Sequence, residues 1–192
     1  MERFMNFKTS QSYRWGLASL LVLGLVFGSR QHAFEGSELL QHRDGQLALY
    51  NTHNGEYINI RYCDVHGIWS PDAAQSFNHF LRCHADGGLM PMHPHLLEVI
   101  DRIQDHFGPD RVVHVISAYR SPKYNGYLRS VGRGVALHSY HMKGQAMDIR
   151  IPGISTRALF EYVKSLGVGG AGCYHGPNFV HVDVGPVRVW GS

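Results

Sequence analysis

HSYHMKGQAMDIR, residues 138–150, sets two histidines and an aspartate around a glycine turn, and its second half alternates apolar and polar side chains. Along a strand leaving Gly144, the residues Ala146, Asp148 and Arg150 share one face, while Met147, Ile149 and Ile151 share the other. The apolar set belongs to a core, so Asp148 looks out from the opposite face, and the small Ala146 leaves space before it. His141 stands just ahead of the turn, where Gly144 lets the backbone fold back. An imidazole nitrogen and a carboxylate oxygen thus converge on one point.

FVHVDV, residues 179–184, repeats the pattern. Val180, Val182 and Val184 make an apolar face; Phe179, His181 and Asp183 make the other. If the two strands are neighbours, His181 meets His141 and Asp148. Two neutral imidazoles and one carboxylate suit zinc with a fourth position left for water, whose pKa the metal would bring towards neutrality. Taken singly, each residue also has an ordinary reading: a loop histidine, an aspartate in a cap or ion pair, a satisfied core histidine. Their joint placement on the non-core faces of two strands is what favours a site.

The surrounding sequence reads as scaffold. LALYNTHNGEYINIRY, 47–62, is two short strands joined at His53-Asn54-Gly55, a hairpin signal. Ser70-Pro71 opens a helix with Ala74, Phe77 and Leu81 on one face, and a second begins near Pro94 with a stripe of Leu96, Ile100, Ile103 and Phe107, stopped by Gly108-Pro109. RVVHVISAY, 111–119, is a β-branched core strand. Ser121-Pro122 starts a helix through about Val131, weakened by Gly126, and SVGRGVALHS is a loop. Ser155 caps a helix with Leu159, Val163 and Leu166 on one face and Gly167 at its end. The glycine-rich VGGAGCYHG, given no strand, precedes FVHVDV, the last expected one. Helices and strands intersperse without regular βαβ alternation, so the fold class expected is α+β: a compact domain with a mainly antiparallel sheet flanked by helices.

Composition narrows the function classes. An apolar fraction of 44% and a charged fraction of 17% fit a folded domain of ordinary size within 192 residues. A net charge of +3 with no basic run argues against a nucleic-acid partner. Arg3, Lys8 and Arg14 precede the apolar run WGLASLLVLGLVFG, short beside the ~20 residues of a full membrane span. Residues 1–30 are therefore expected to be a secretory signal, with cleavage after Gly28, or an uncleaved anchor and membrane tether. The body, 31–192, then works outside the cytoplasm. Cys63, Cys83 and Cys173 form no C-x-x-C, and buried free thiols are preferred over a Cys63–Cys83 pair.

H141-x-x-G-x-A-x-D148 followed by F179-V-H181 resembles the zinc site of the lysostaphin/D-Ala-D-Ala-peptidase superfamily. SAYRS (117–121), SYHMKGQAMD (139–148) and NFVHVDVGPVR (178–188), in that order, look like the murein endopeptidase K (MepK/YcbK-like) family within it, over about residues 45–192. The resemblance implies a hedgehog/DD-peptidase-like fold, with zinc held by His141, Asp148 and His181. It also implies a periplasmic location and hydrolysis of peptide cross-links in peptidoglycan, with the stem peptides as partner and a monomeric enzyme. In related zinc peptidases an arginine at the place of Arg120 binds substrate or the oxyanion, a preorganised cation where negative charge develops. A plain surface ion pair is its ordinary reading.

The general base is where this sequence departs from the pattern. Many relatives carry an acid three residues before the last zinc histidine, and others a histidine two before it; here these are Asn178 and Phe179. Asp183 is taken as the base, with an equal claim to holding the His181 tautomer; His175 and His138 are the loop alternatives. A zinc endopeptidase ranks first. An inactive, zinc-holding peptidoglycan-binding or regulatory module ranks second, and zinc as pure scaffold, closed by a fourth ligand such as His138, third. The sequence leaves open whether D-alanine and a diamino acid, or two diamino acids, flank the scissile bond.

Overall fold

The hairpin opens the part of the chain that the structure, a computed structural model, describes: residues 44–191. The signal or anchor expected at 1–30 lies outside them. Strand β1 (Gln46–Asn51) turns at Gly55, whose positive φ suits glycine, into β2 (Tyr57–Arg61), antiparallel with Leu47 opposite Ile60. Helix α1 (Pro71–Phe80) is capped by the Ser70 side chain and buries Ala73, Phe77 and Phe80; the expected Ala74 lies half-buried, one position off the stripe. Helix α2 (Pro94–Phe107) buries Leu96, Leu97, Val99, Ile100 and Ile103, and ends at Gly108. It also buries Asp101, which accepts a hydrogen bond from the Tyr62 hydroxyl at 2.6 Å.

Strand β3 (Val113–Ser117) leads through Ser121, the N-cap of helix α3 (Pro122–Ser130), into the exposed 131–138 segment. A 3₁₀ turn (Tyr140–Lys143) ends on Gly144 in the left-handed conformation and feeds β4 (Ala146–Arg150). Any side chain at Gly144 would collide with the Pro91 carbonyl, so glycine is required there twice over. Helix α4 (Thr156–Leu166) is capped by Ser155 and closed by Gly167, also left-handed. Strands β5 (Gly170–Tyr174), β6 (Phe179–Asp183) and β7 (Arg188–Trp190) complete the described chain.

Two of these strands go beyond the sequence reading. VGGAGCYHG contains β5, and β7 follows FVHVDV. Glycine hides a strand from pattern reading because it contributes no alternation. Its use here is spatial: a side chain at Gly172 would overlap the Trp190 indole of β7, and one at Gly170 would meet Asp183 and Arg188.

The seven strands form one mixed sheet in the order β2-β1-β3-β4-β6-β5-β7. β1 with β3 and β5 with β7 are parallel; the other pairs are antiparallel, as expected. α1 packs on β2, α2 on β1, and α4 on β5 and β6. A single hydrophobic cluster runs from Leu47 and Leu49 through Ile100, Val115, Met147 and Ile149 to Val180 and Val182. Each such fully buried aliphatic side chain contributes about 1.5–3 kcal/mol. Met147, Ile149, Val180 and Val182 pin the register of β4 against β6, since a one-residue slip would turn their polar neighbours into the apolar core. Cys63, Cys83 and Cys173 are buried free thiols.

Candidate metal centre

That register sets Asp148 directly opposite His181. On the other side β3 has a bulge between Val115 and Ser117, so that Ser117 pairs with Asp148. Bulges re-aim side chains beside functional sites, and this one lets the following Ala118-Tyr119-Arg120 run along the His141 turn. The Arg120 backbone N–H donates to the His141 carbonyl at 3.2 Å, and Ser139, the cap of the 3₁₀ turn, accepts from the His141 N–H.

His141, Asp148 and His181 are all buried, and their ligating atoms lie within 4.8 Å of one another. Asp148 Oδ1 is 2.8 Å from His181 Nδ1 and 3.3 Å from His141 Nε2; the two ring nitrogens are 3.3 Å apart. The far side of each ring has its own partner. His141 Nδ1–H donates to the Ala118 carbonyl at 2.8 Å, and His181 Nε2 lies 2.8 Å from Asp183 Oδ2. His141 Nε2, His181 Nδ1 and Asp148 Oδ1 face one another. With His141 protonated on its far side, three such atoms need a proton or a cation among them. Two nitrogens and one oxygen, with their outer hydrogen bonds in place, fit a zinc-like ion.

The electrostatics agree. Burial alone would raise the Asp148 pKa, but the charge and hydrogen bonds of His141 and His181 outweigh it and hold the carboxyl well below its ordinary range. Burial alone would lower His181; hydrogen bonds to Asp148 and Asp183 outweigh it and raise the imidazole. The trio has a built-in demand for positive charge, which a proton on His181 meets in part.

The sequence candidates divide by place. Arg120 is buried at 8% exposure and lines the cleft. Its Nη1 donates to Asn125 Oδ1 at 3.3 Å and its Nη2 to Ser117 Oγ at 3.4 Å, both neutral partners. Burial pushes its pKa down, and the Asp148 charge partly offsets this. Asp183 shares a face with His181, as alternation requires, but has no exposed surface. Its Oδ1 accepts from the backbone N–H groups of Gly170 and Gly185, and both oxygens accept from Arg188. Burial would raise this carboxyl too; His181, the Gly185 N–H and Arg188 bring it down to about 2. A carboxylate so occupied has no path to a water in the cleft, which is the arrangement of an orienting group.

His175 and Asn178 sit in the β5–β6 turn, away from the cleft lining. Asn178 adopts a positive φ, which asparagine tolerates, and accepts from the Thr156 hydroxyl. His138 is exposed and does line the cleft. Phe179 also lines it, stacked on Tyr174 with ring centroids 4.6 Å apart.

The cleft encloses about 530 Å³, with Arg120, Arg133, His138, Tyr174 and Trp190 among its walls. Asn125, Arg188, Tyr140 and Trp190 escaped sequence reasoning as site residues. Only the proximity of Arg188 to the FVHVDV strand, across a Gly-Pro turn, hints at its place.

Comparison with known proteins follows the same outline. A family model described as peptidoglycan L,D-endopeptidase MepK matches residues 41–190. The peptidoglycan L,D-endopeptidase MepK of Escherichia coli (strain K12) is 40% identical over 144 residues, 75% of this chain and 79% of that protein. A probable peptidoglycan L,D-endopeptidase MepK of Haemophilus influenzae is 35% identical over 145 residues, 75% of this chain and 77% of that protein.

Proposed function

Since the chain belongs to the peptidoglycan L,D-endopeptidase MepK family, we propose that its cleft cuts an L,D peptide bond in peptidoglycan cross-links, with zinc held by His141, Asp148 and His181. The chain is a murein endopeptidase, a hydrolase. The observation that carries the zinc reading is the convergence of three buried ligating atoms, His141 Nε2, His181 Nδ1 and Asp148 Oδ1, each ring having a partner on its far side. In this buried cluster the ligating atoms come from these three side chains without His138, which would leave a position open as catalytic zinc requires. Bound there, zinc would supply Lewis acidity, lowering the pKa of a coordinated water and polarising the scissile carbonyl.

The chain's own residues do the remainder. Arg120, held by neutral partners, keeps its charge available for the oxyanion or a substrate carboxylate. Of the three bases weighed, His138 alone lines the cleft, and it would take the proton of the attacking water and return it to the leaving amine. Asp183 orients His181. Tyr174, Phe179 and Trp190 form an apolar wall for a stem peptide. The domain, residues 31–192, would act in the periplasm as a monomer, brought there by the 1–30 segment as signal or tether. Among the described residues no helix is long and apolar enough to cross a membrane.

The test is digestion of purified peptidoglycan by the protein from about residue 31, with fragments read by mass spectrometry, with and without chelator. Cross-linked dimers should disappear only with metal present, and His181→Ala should abolish their loss. Fragment masses name the bond. A folded, zinc-loaded protein that leaves dimers intact would overturn the reading, and D,D fragments would overturn its L,D part.

A further inference from the structure

Arg188 stands one layer behind the proposed metal ligands, and five contacts converge on it, one of them from its Nη1 to the Pro186 carbonyl at 3.0 Å. Its Nη1 donates to Asp183 Oδ1 at 3.1 Å and its Nη2 to Asp183 Oδ2 at 2.5 Å. Its guanidinium lies 4.8 Å from the Tyr140 ring centroid and 5.3 Å from that of Trp190. Tyr140 is the residue before His141; Trp190 has its ring 5.2 Å from that of His181. Three glycines make room for this assembly. A side chain at Gly170 would strike Asp183 and Arg188, one at Gly172 would strike Trp190, and one at Gly185 would strike Tyr140.

We propose that Arg188 is a positioning residue for the metal centre, acting through Asp183 on His181 and through Tyr140 on the His141 side. The inference rests on the zinc site proposed above. An imidazole on a strand is free to turn about its last bond unless its outer nitrogen is held, and Asp183 Oδ2 is what holds this one. Asp183 is fully buried, and Arg188 meets both of its oxygens, which holds the carboxylate in place. A guanidinium meets both carboxylate oxygens in one plane and stacks on aromatic faces with its own; lysine does neither. The competing account, an ion pair that merely fastens β7 to the sheet, would cost stability and leave the metal untouched.

Arg188→Gln and Arg188→Lys separate the two accounts. For each, thermal melting of the metal-free protein is measured beside zinc affinity, by chelator competition, and the visible spectrum of the cobalt(II)-substituted form. Arg188→Gln should fold, bind zinc about 10–100-fold more weakly and shift the cobalt bands. Arg188→Lys, which keeps the charge without the fork, should fall between it and the unaltered protein. Unchanged affinity and spectrum in a folded variant would overturn the proposal, as would failure of both variants to fold, which makes Arg188 a folding residue. If the unaltered protein itself binds no zinc, it is the zinc reading that fails.

Discussion

The two histidines of the cluster are not equivalent: His141 turns Nε2 and His181 turns Nδ1 towards Asp148. Their types were readable from the sequence, as was Asp148, since strand alternation puts carboxylate and imidazole on one face. Which nitrogen each turns inward was not, because the Ala118 carbonyl that holds His141 Nδ1 follows a bulge and stands 23 positions earlier. The base was the least legible element. Alternation correctly puts Asp183 on the ligand face, yet Gly170, Gly185 and Arg188 close over it. The base proposed above, His138, is open to a clean test. His138→Gln should lower the cleavage rate about 10²–10⁴-fold while zinc stoichiometry stays the same. Parallel loss of zinc would make His138 a ligand and the site a closed one.

At the scale of elements, what the sequence showed depended on side chains. Caps at Ser70, Ser121 and Ser155, the Asn-Gly hairpin and the alternating β4 and β6 all carry letters with a local physical meaning, and all lie where expected. β5 was missed because glycines at 170 and 172 give no pattern, and β7 because three residues are too few for one. These two strands are nevertheless half of the housing around Asp183. Gly172→Ala should therefore be costly despite touching no ligand, since the added methyl falls on the Trp190 indole. Thermal or denaturant unfolding should show a loss of about 1–3 kcal/mol. Gly176→Ala, in the adjoining turn where nothing lies near, should be close to neutral.

At the scale of the whole molecule, a pH-sensitive feature among the described residues lies outside the cleft at the buried Asp101. Burial raises its pKa to about 7, with the Tyr62 hydrogen bond opposing and the charges of Asp105 and Asp44 assisting. A folded-state pKa above the unfolded one means the fold prefers the protonated acid. The contribution of Asp101 to stability is complete below about pH 4, fades as pH rises towards about 7, and is lost above it. Asp101→Asn keeps an acceptor for Tyr62 and sets an amide beside Asp44 and Asp105, whose carboxylates lie within 4.8 Å. The variant should melt a few degrees above the parent at pH 8, an effect on the order of 1 kcal/mol, and the gap should close towards pH 4. A gap independent of pH would mean that Asp101 is not the group responsible.

The sheet order carries one more consequence. β4 and β6, which carry Asp148 and His181, are its inner pair, with β2, β1 and β3 on one side and β5 and β7 on the other. Strands fray from the edges inward, so thermal opening begins at β2 and β7 and reaches β4 and β6 last. The cleft behaves accordingly as a hard floor beneath softer walls. The exposed 131–138 segment is the rim that a bulky, cross-linked polymer meets first, while the floor lies on the inner strands of the sheet.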